Sequence, residues 1–480
     1  MNPGQDQAAT DDEPEREREP EPERVGPPGR KGHGRTDPDE NPADENRPDT
    51  HHPAEIVPSR NTAGPNTPGL SPWRFVVAFG VVSLLADFVY EGARSVTGPL
   101  LASFGASAMV VGAVTGAGEA AALLLRLGSG PLADRTGRFW SWTIGGYALT
   151  VASVPLLGVS GVLWVACALV IAERVGKAVR SPAKDTLLSH ATAATGRGRG
   201  FAVHEAMDQI GALLGPLTVA GMLALTGDDY APTLAVLALP GLFVLLVLLW
   251  LRARVPNPQT YEVPQAYEES AAPKGRAKSR AAVAEPAQLP RAFWVYACFT
   301  AVTLTGFATF GVLSFHLVES DLVGAAAVPL VYVVAMAADA VAALATGWAY
   351  DRTGPRVLVV LPVLSGLTAL LAFGDTLWAV LAGAVMWGAA TGVQESTLRA
   401  TVADLVPVGR RATAYGLFAA VVGGAAFLGG LLTGALYERS VPVLVTVVLL
   451  IQAFALVLLL ASRGLLARER ARERERVREG

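Results

Sequence analysis

Apolar stretches of about 20 residues follow one another along most of the chain, separated by short segments of glycine, proline or charged residues. A stretch of this length crosses a bilayer as a helix, because a helix rises about 1.5 Å per residue. Twelve stretches of near-spanning length lie at about 73–97, 108–129, 139–158, 161–179, 201–225, 231–252, 290–317, 324–346, 356–374, 376–398, 412–436 and 441–462. The pattern predicts an all-α membrane protein with twelve transmembrane helices.

Composition supports this prediction for most of the chain. Hydrophobic residues make up 51% and charged residues 17% of its 480 residues, whereas soluble domains average about 25% charged. The first 60 residues differ, with 16 acidic, 8 basic and 11 proline residues. Because such a segment cannot build a packed core, we expect residues 1–72 to form a disordered tail. The remaining chain is only modestly basic, which argues against binding of nucleic acid.

The distribution of basic residues predicts the orientation in the membrane. Lysine and arginine are frequent in the connections on the N-terminal side, among them Arg135, Arg138 and Arg352, while the six opposite connections contain only Arg439. Basic residues favour cytoplasmic loops. We therefore expect a multi-pass protein of the inner (plasma) membrane with both termini in the cytoplasm.

A polar, proline-rich segment separates the sixth and seventh stretches and divides the membrane region into two sets of six. The expected organisation is an N-terminal cytoplasmic tail, a six-helix bundle, a cytoplasmic linker, a second six-helix bundle and a charged C-terminal tail. These parts are residues 1–72, 73–253, 254–289, 290–462 and 463–480.

Each set of six contains the pattern G-x-x-x-D-R-T-G after its second apolar stretch, beginning at Gly130 and at Gly347. A tight turn uses glycine for unusual backbone angles, an acid that can cap a helix, and an arginine that can bridge to the acid. A second landmark, Arg180 to Asp185, recurs as Arg399 to Asp404. The two sets are therefore predicted to be pseudo-symmetric repeats.

On these motifs the chain resembles the major facilitator superfamily of secondary transporters, whose signature between helices two and three reads G-x-x-x-D-R/K-x-G-R/K-R/K. The resemblance covers about residues 73–462 and departs from the signature at Phe139 and at Pro355. It implies two six-helix bundles around a central cavity that opens alternately to each side, with the signature segments helping to latch the halves. The implied gating residues are Gly130, Asp134, Arg135, Gly137, Arg138, Asp351, Arg352 and Gly354.

Ionisable side chains lie inside several stretches, where a charge is costly unless it faces a cavity or a partner. Asp87, Glu91 and Arg94 share one face of the first helix, Glu119 lies at similar depth in the second, and Asp339 lies in the eighth. We expect these residues to serve proton coupling and the substrate cavity. The alternative is a static Asp87–Arg94 or Glu91–Arg94 pair that holds helices together.

A second group of charges lies at the end of the fourth stretch and the start of the fifth. Its members are Glu173, Arg174, Lys177, Arg180, Glu205 and Asp208. In exporters of the family that the chain resembles, an arginine of helix four is tied to proton transfer, and Arg174 is the nearest match. A salt-bridge network between the two helices explains the same residues equally well.

The fifth stretch also contains Gly211, Gly215 and Pro216. They resemble the helix-five G-x-x-x-G-P-x-x-G-G motif of drug/proton antiporters, with Val219 and Ala220 in place of the last two glycines. Small residues at this spacing let helices approach closely. The resemblance favours export over uptake, although generic helix packing would use the same residues.

The leading interpretation is a transporter, working as a monomer in the lipid bilayer, that moves a small molecule by alternating access in proton-coupled efflux. Proton-coupled uptake of a metabolite and a transporter-like sensor that transports nothing are the alternatives. The sequence contains no ATP-binding loop, no pair of histidines at helical metal-ligand spacing and no catalytic triad. We therefore expect neither an enzyme nor a bound metal or cofactor. The two midplane acids near an arginine would suit a cation, a zwitterion or a partly apolar drug.

Overall fold

The computed structural model describes residues 69–261, 289–407 and 410–479, and every regular element in these ranges is helical. The α-helices are α1 (Pro72–Ser103), α2 (Ala108–Leu124), α3 (Arg126–Thr136), α4 (Phe139–Val159), α5 (Leu163–Thr195), α6 (Arg197–Thr226), α7 (Tyr230–Val236), α8 (Ala238–Arg254), α9 (Arg291–Thr305), α10 (Phe310–Glu319), α11 (Val328–Thr353), α12 (Val360–Ala372), α13 (Leu377–Leu405), α14 (Arg411–Arg439) and α15 (Val441–Glu479). Short 3-10 helices lie at Pro258–Tyr261, Ala325–Ala327 and Gly354–Val359.

Ten stretches of the described chain are long and apolar enough to cross a membrane. One of them, Ala325–Ala372, contains both α11 and α12, and α5 is long enough at 33 residues but carries several charges. With these included, the described residues form twelve segments of spanning length, some built from two consecutive helices. Exposed side chains such as Leu225, Leu344 and Trp378 cover their outer surfaces, as expected for faces that contact lipid. The predicted twelve-helix fold is confirmed.

Polar residues define where several helices begin. The side-chain oxygens of Ser71, Ser107, Thr309 and Thr376 each accept a hydrogen bond from the backbone N–H three residues later, at the starts of α1, α2, α10 and α13. Such caps satisfy donors that the first helical turn leaves without a partner. The short turns between spans are therefore encoded locally, by serine or threonine next to an apolar run.

The signature segments are more helical than the sequence indicated. The prediction ended the second span near residue 129 and placed a turn at Gly130–Gly137, but α3 continues to Thr136 and only Gly137 turns, with φ 61°. In the second copy, α11 continues to Thr353, and Gly354 turns with φ 63°. The final glycine of each motif supplies the left-handed backbone, because a side chain is strained there.

The helices group into an N-terminal half, α1–α8, and a C-terminal half, α9–α15. Within the halves, α1 packs on α6, α4 on α5, and α11 on α13. The halves meet along α2 with α14, α1 with α10, and α6 with α11. In the repeat, α6 corresponds to α14, and α2 corresponds to α11. The contact of α2 with α14 is therefore equivalent to the contact of α11 with α6. The packing is therefore pseudo-symmetric.

The two ends of the bundle differ in how closely the halves approach. We call the end with the two signature segments the motif end, and the other the opposite end. At the opposite end, a Cβ added to Gly112 of α2 would lie only 2.1 Å from the backbone of Gly430 in α14. Nearer the motif end, a Cβ at Gly416 of α14 would meet only the side chain of Leu127, at 3.0 Å. The halves therefore touch at the opposite end and diverge toward the motif end.

Some predicted segments lie partly outside the described residues. This is the case for the N-terminal tail up to residue 68 and for the linker from 262 to 288. The predicted C-terminal tail, 463–480, continues α15 as far as Glu479.

Candidate functional site

A cavity of about 610 Å³ lies between the two halves. It extends from Thr97 and Thr309, on the side of the opposite end, to Arg126 and Arg399 on the side of the motif end. On the side of the opposite end, the hydroxyls of Thr115 and Thr309 on the cavity wall are 2.8 Å apart and join α2 to the C-terminal half. The volume lies in the range of small-molecule sites.

The N-terminal wall of the cavity carries a network of ion pairs. Glu119 Oε1 lies 3.0 Å from Arg94 Nη2 and 3.6 Å from Arg174 Nη1. Arg94 Nη1 is also 3.5 Å from Glu91 Oε1, and Arg174 Nε is 3.1 Å from Glu173 Oε2. These five residues, which we call the charge network, connect α1, α2 and α5. Mutual pairing offsets the cost of holding charges at membrane depth.

Local sequence explains how the charge network forms. Glu91 and Arg94 lie one turn apart on α1, the spacing at which helical side chains meet. Arg174 reaches Glu119 across Gly118, where a Cβ would lie 2.9 Å from the Arg174 Cγ. Of the two static pairs considered from the sequence, Glu91–Arg94 is present, and the described side chains contain no Asp87–Arg94 pair.

An aromatic cluster forms the facing wall in the C-terminal half. The hydroxyl of Tyr332, on α11, donates a hydrogen bond to Glu91 and so links the two halves. The Tyr332 ring meets the edge of Phe310 at 4.5 Å between centroids, and Trp387 stacks on Phe307 at 6.0 Å. Sequence reasoning missed Tyr332 and Trp387, because an aromatic residue in an apolar stretch carries no signal that separates a cavity wall from a lipid-facing surface.

Aromatic and hydroxyl partners hold the other cations of α5. Lys177 Nζ donates to the hydroxyl of Tyr90 at 2.8 Å and lies 4.2 Å from the centroid of its ring. The Arg180 guanidinium lies 4.4 Å from the Tyr147 ring centroid and donates to Thr150 Oγ1 at 2.9 Å. Cation–π contacts of this kind are stronger where water is excluded.

The predicted network between the fourth and fifth spans divides into two parts. Glu205 and Asp208 lie on α6, where Glu205 accepts a hydrogen bond from Gln209 at 3.4 Å and Asp208 Oδ2 is 3.6 Å from His204 Nδ1. Within the part of the chain that the structure describes, no ion pair joins α6 to the charges of α5. The sequence could not reveal this division, since it gives helix faces but not helix separations.

His204, Glu205 and Asp208 bring possible metal-ligand atoms within 4.8 Å of one another. The sequence prediction of no metal site considered only pairs of histidines and missed this group. His204 Nε2 already lies 2.8 Å from the hydroxyl of Ser83, and Nδ1 faces Asp208. An ion would therefore have to displace one of these partners to reach an imidazole nitrogen.

Asp87 and Asp339 do not line the cavity and have no ion-pair partner among the described residues. Asp87 is half-buried and makes no hydrogen bond there. Asp339 is 1% exposed, and its Oδ1 has no hydrogen-bond partner. Of the predicted cavity residues, Arg94 and Glu119 line the cavity itself, while Glu91 is buried behind them.

The glycines of α6 hold this helix against α1 on either side of Asp87. A Cβ at Gly211 would lie 2.1 Å from the carbonyl oxygen of Leu84, and one at Gly215 would lie 2.1 Å from that of Phe88. Pro216 lies inside α6. The predicted close packing of the fifth span is thus present.

Side chains of both signature segments are exposed at the motif end. The exposed acids and arginines are Asp134, Arg135, Arg138, Asp351 and Arg352. Arg352 stacks on Trp348, 3.4 Å from the ring centroid, and none of the five forms an ion pair with a described residue. Tyr350, in the second motif, donates to Asp404 at 2.7 Å, which connects that motif to the second sequence landmark.

Known proteins resemble the chain along most of its length. The family model described as Major Facilitator Superfamily matches residues 79–361 and 316–480. An uncharacterized protein of Mycobacterium tuberculosis is 61% identical over 401 residues, which cover 83% of this chain and 95% of that protein. An uncharacterized MFS-type transporter of Methanocaldococcus jannaschii is 24% identical over 372 residues, covering 76% and 89%. The crystal structure of the nucleoside transporter NupG matches with a TM-score of 0.61 at 13% identity over 82% of this chain and 99% of that one, a likeness of fold alone.

Proposed function

Because the chain belongs to the Major Facilitator Superfamily of membrane transporters, we propose that it exports a small molecule from the cytoplasm in exchange for protons. The observation that carries this proposal is the cavity between the halves, which has an ionic wall, an aromatic wall and one divergent end. A site between two repeats that pack more closely at one end suits alternating access.

The distribution of basic residues supports a cytoplasmic location for the motif end. With that orientation, the divergent end of the cavity faces the cytoplasm, so an intracellular molecule can enter it. The glycine packing of α6 on α1 fits the antiporter-like motif of the fifth span and supports export.

Pairing of the carboxylates supports a choice among the candidates for proton coupling. A carboxylate that must gain and lose a proton during each cycle is less suited to the role if arginines hold it throughout. Glu91, Glu119 and Glu173 each lie within 4.0 Å of an arginine nitrogen, whereas Asp87 and Asp339 do not. We therefore assign proton coupling to Asp87 and Asp339 ahead of Glu119.

Charged groups around these two acids provide a route for the coupling. Around Asp87, the groups within electrostatic range are Lys177, Arg180 and Lys184 on α5 and Asp208 on α6. Around Asp339, they are Glu395 on α13, Glu91 and Arg94 on α1, and Glu205 on α6. A proton that binds or leaves at Asp87 changes the forces between helices of the N-terminal half, and one at Asp339 changes the forces between the two halves.

The proposal is tested in two stages. First, cells that overproduce the protein or lack it are compared for growth with a panel of toxic compounds, and overproduction should protect against at least one compound. That compound is then offered to everted membrane vesicles with an imposed pH gradient, where the wild-type protein should accumulate it. Asp87→Asn and Asp339→Asn should exchange it between equal pools but not accumulate it, and exposed Asp375→Asn serves as the matched control.

Each stage can contradict a different part of the proposal. Overproduction that sensitises cells and speeds entry of the compound would show uptake instead of export. Full pH-driven accumulation by both aspartate variants would place the coupling elsewhere, with Glu119→Gln the next variant to measure.

A further inference from the structure

The cavity wall carries more cations than acids. Arginine or lysine side chains on the wall are Arg94, Arg126, Arg174, Lys177 and Arg399, and acidic side chains are Glu119, Glu173 and Glu395. Two of the acids, Glu119 and Glu173, are already paired with arginines. Arg126, Lys177 and Arg399 have no carboxylate within 4.0 Å among the described residues, so the uncompensated charge of the wall is mainly positive.

Hydrogen-bond donors on the wall also lack acceptors. Arg126 Nε and Gln394 Nε2 are buried and have no hydrogen-bond partner in the described chain, and Arg174 Nη1 has only the longer ion-pair contact of 3.6 Å with Glu119 Oε1. Arg174 is only 6% exposed, so water reaches it poorly. Buried donors are normally satisfied, and an acceptor-rich group inside the cavity would satisfy these.

The two arginines nearest the motif end lie on different halves. Arg126 begins α3 in the N-terminal half, Arg399 lies on α13 in the C-terminal half, and the two are within electrostatic range of each other. Their like charges oppose any motion that brings the halves together at this end. A negative charge between them would turn this repulsion into attraction.

The aromatic wall in the C-terminal half offers an apolar surface for the rest of a ligand. Phe307, Phe310, Trp387 and Phe418 line the cavity from the C-terminal half. The stacked pair of Phe307 and Trp387 presents a broad, rigid face. Rings of this kind bury large apolar areas and prefer stacked or edge contacts with other rings.

We propose that the cavity binds an organic anion whose carboxylate, sulfonate or phosphate group lies among Arg126, Lys177 and Arg399 and whose apolar body lies against Phe307 and Trp387. The proposal rests on the proposed function, in that it takes this cavity as the transport site. It departs from the cation, zwitterion or partly apolar drug expected from the sequence, because Glu119, the midplane acid that lines the cavity, is held by Arg94 and Arg174. Glu395 is the acid of the described wall that no arginine holds. Its single negative charge is smaller than the combined positive charge of Arg126, Lys177 and Arg399, so the mouth of the cavity is net positive.

Four ligands of one size and different charge test the proposal. Purified full-length protein in detergent at pH 7 is titrated calorimetrically with 3-phenylpropionate, 3-phenylpropionamide, 3-phenylpropylamine and phenylalanine. We expect the anion to bind at least about tenfold more tightly than the amide, the amine and the zwitterion, because a hydrogen bond to a charged group contributes on the order of that factor.

Variants of the mouth locate the binding site. Arg126→Gln and Arg399→Gln should each weaken binding of the anion by about tenfold and leave binding of the amide unchanged, while Arg126→Lys and Arg399→Lys should retain most of the affinity. Exposed Arg74→Gln and Arg439→Gln, outside the cavity, are the matched controls. Thermal unfolding of each variant confirms that it is folded.

Several outcomes would overturn the inference. These are equal or tighter binding of the amine, the amide or the zwitterion, no binding by any of the four ligands, and affinity for the anion that does not change in either glutamine variant. Binding is measured without a gradient, so its result is independent of direction and coupling. Anion binding without pH-driven transport would contradict the proposed function alone, and proton-coupled export of cations by a protein that ignores anions would contradict the inference alone.

Discussion

The two halves share a sequence repeat and a helix arrangement, yet they differ in what they present to the cavity. The N-terminal half contributes the charge network on α1, α2 and α5, and the C-terminal half contributes mainly aromatic rings on α10 and α13. Arg180 and Arg399 occupy equivalent positions of the repeat, but Arg180 is buried over Tyr147 and Arg399 is exposed at the cavity mouth. The repeat thus maintains the backbone, while the side chains at the cavity have specialised.

This difference separates two tasks. The network of ion pairs lies in the N-terminal half, and a rigid apolar surface lies in the C-terminal half. A hydrogen bond from Tyr332 to Glu91 joins the aromatic wall to the charge network. Substitutions on the two sides should therefore have distinguishable consequences.

The largest expected effect is on stability, at the centre of the aromatic wall. Trp387→Ala should lower the free energy of unfolding by about 4 kcal/mol, because it removes the stack on Phe307 and leaves a large cavity. Reversible unfolding in mixed micelles measures the change. Trp387→Phe keeps a ring at this position and should recover at least half of the loss; an equal loss in both variants would mean that ring packing does not stabilise this wall.

A somewhat smaller effect is expected at the centre of the charge network. Arg174→Gln removes the partner of Glu173 and one of the two partners of Glu119, so the free energy of unfolding should fall by about 3 kcal/mol. The double variant Glu173→Gln, Arg174→Gln should be more stable than the single one, because one buried charge then disappears with its partner. Exposed Arg135→Gln is the control. If the double variant is the less stable, the network does not act through charge pairing.

The link between the walls should affect conformation more than folding. Tyr332→Phe removes the hydrogen bond to Glu91 and should favour separation of the halves at the opposite end by about 1.5 kcal/mol, or about tenfold in population. Distances between spin labels at the opposite end report the shift. Tyr415→Phe removes a hydrogen bond within the C-terminal half, from Tyr415 to the Arg399 carbonyl, and should leave the distances unchanged; the same shift in both variants would argue against a specific link.

The smallest expected effect on binding and stability is at the first signature segment. Asp134 is exposed and lacks an ion pair with any described residue, so Asp134→Asn should change the free energy of unfolding by less than about 0.5 kcal/mol. Ligand affinity should also stay the same, while exchange between conformations slows if the residue helps latch the halves when the motif end closes. Loss of affinity with normal exchange would contradict the latch.

Much of the architecture could be predicted from the sequence, because length, hydropathy and capping residues act locally. The spans, the division into two halves and the repeat of the signature all depend on patterns within a few turns of helix. The turn within the first signature was placed too early, at Gly130 instead of Gly137, since aspartate, arginine and threonine extend the helix between them.

The site could be predicted only in part, for a physical reason. Periodicity placed Asp87, Glu91 and Arg94 on one face, but the partner of Arg94 besides Glu91 is Glu119 on a neighbouring helix. Which charges meet between helices depends on small residues such as Gly118 that set the spacing, and their effect appears only in three dimensions. The same limit concealed Tyr332 and Trp387, whereas His204, Glu205 and Asp208 lie on one helix and were missed because only pairs of histidines were considered.

Glycine contacts at the opposite end affect how the protein can move and how its sequence can change. Gly112 lies against Gly430, and a Cβ at Gly98 would lie only 2.3 Å from the carbonyl oxygen of Gly311. Backbone surfaces without side chains are held together mainly by many weak dispersion contacts. Such surfaces can separate and meet again without any change of side-chain rotamer. A single added methyl group would keep them apart. The lining of the cavity can therefore vary between related sequences far more freely than these glycines, on which the close contact of the two halves depends.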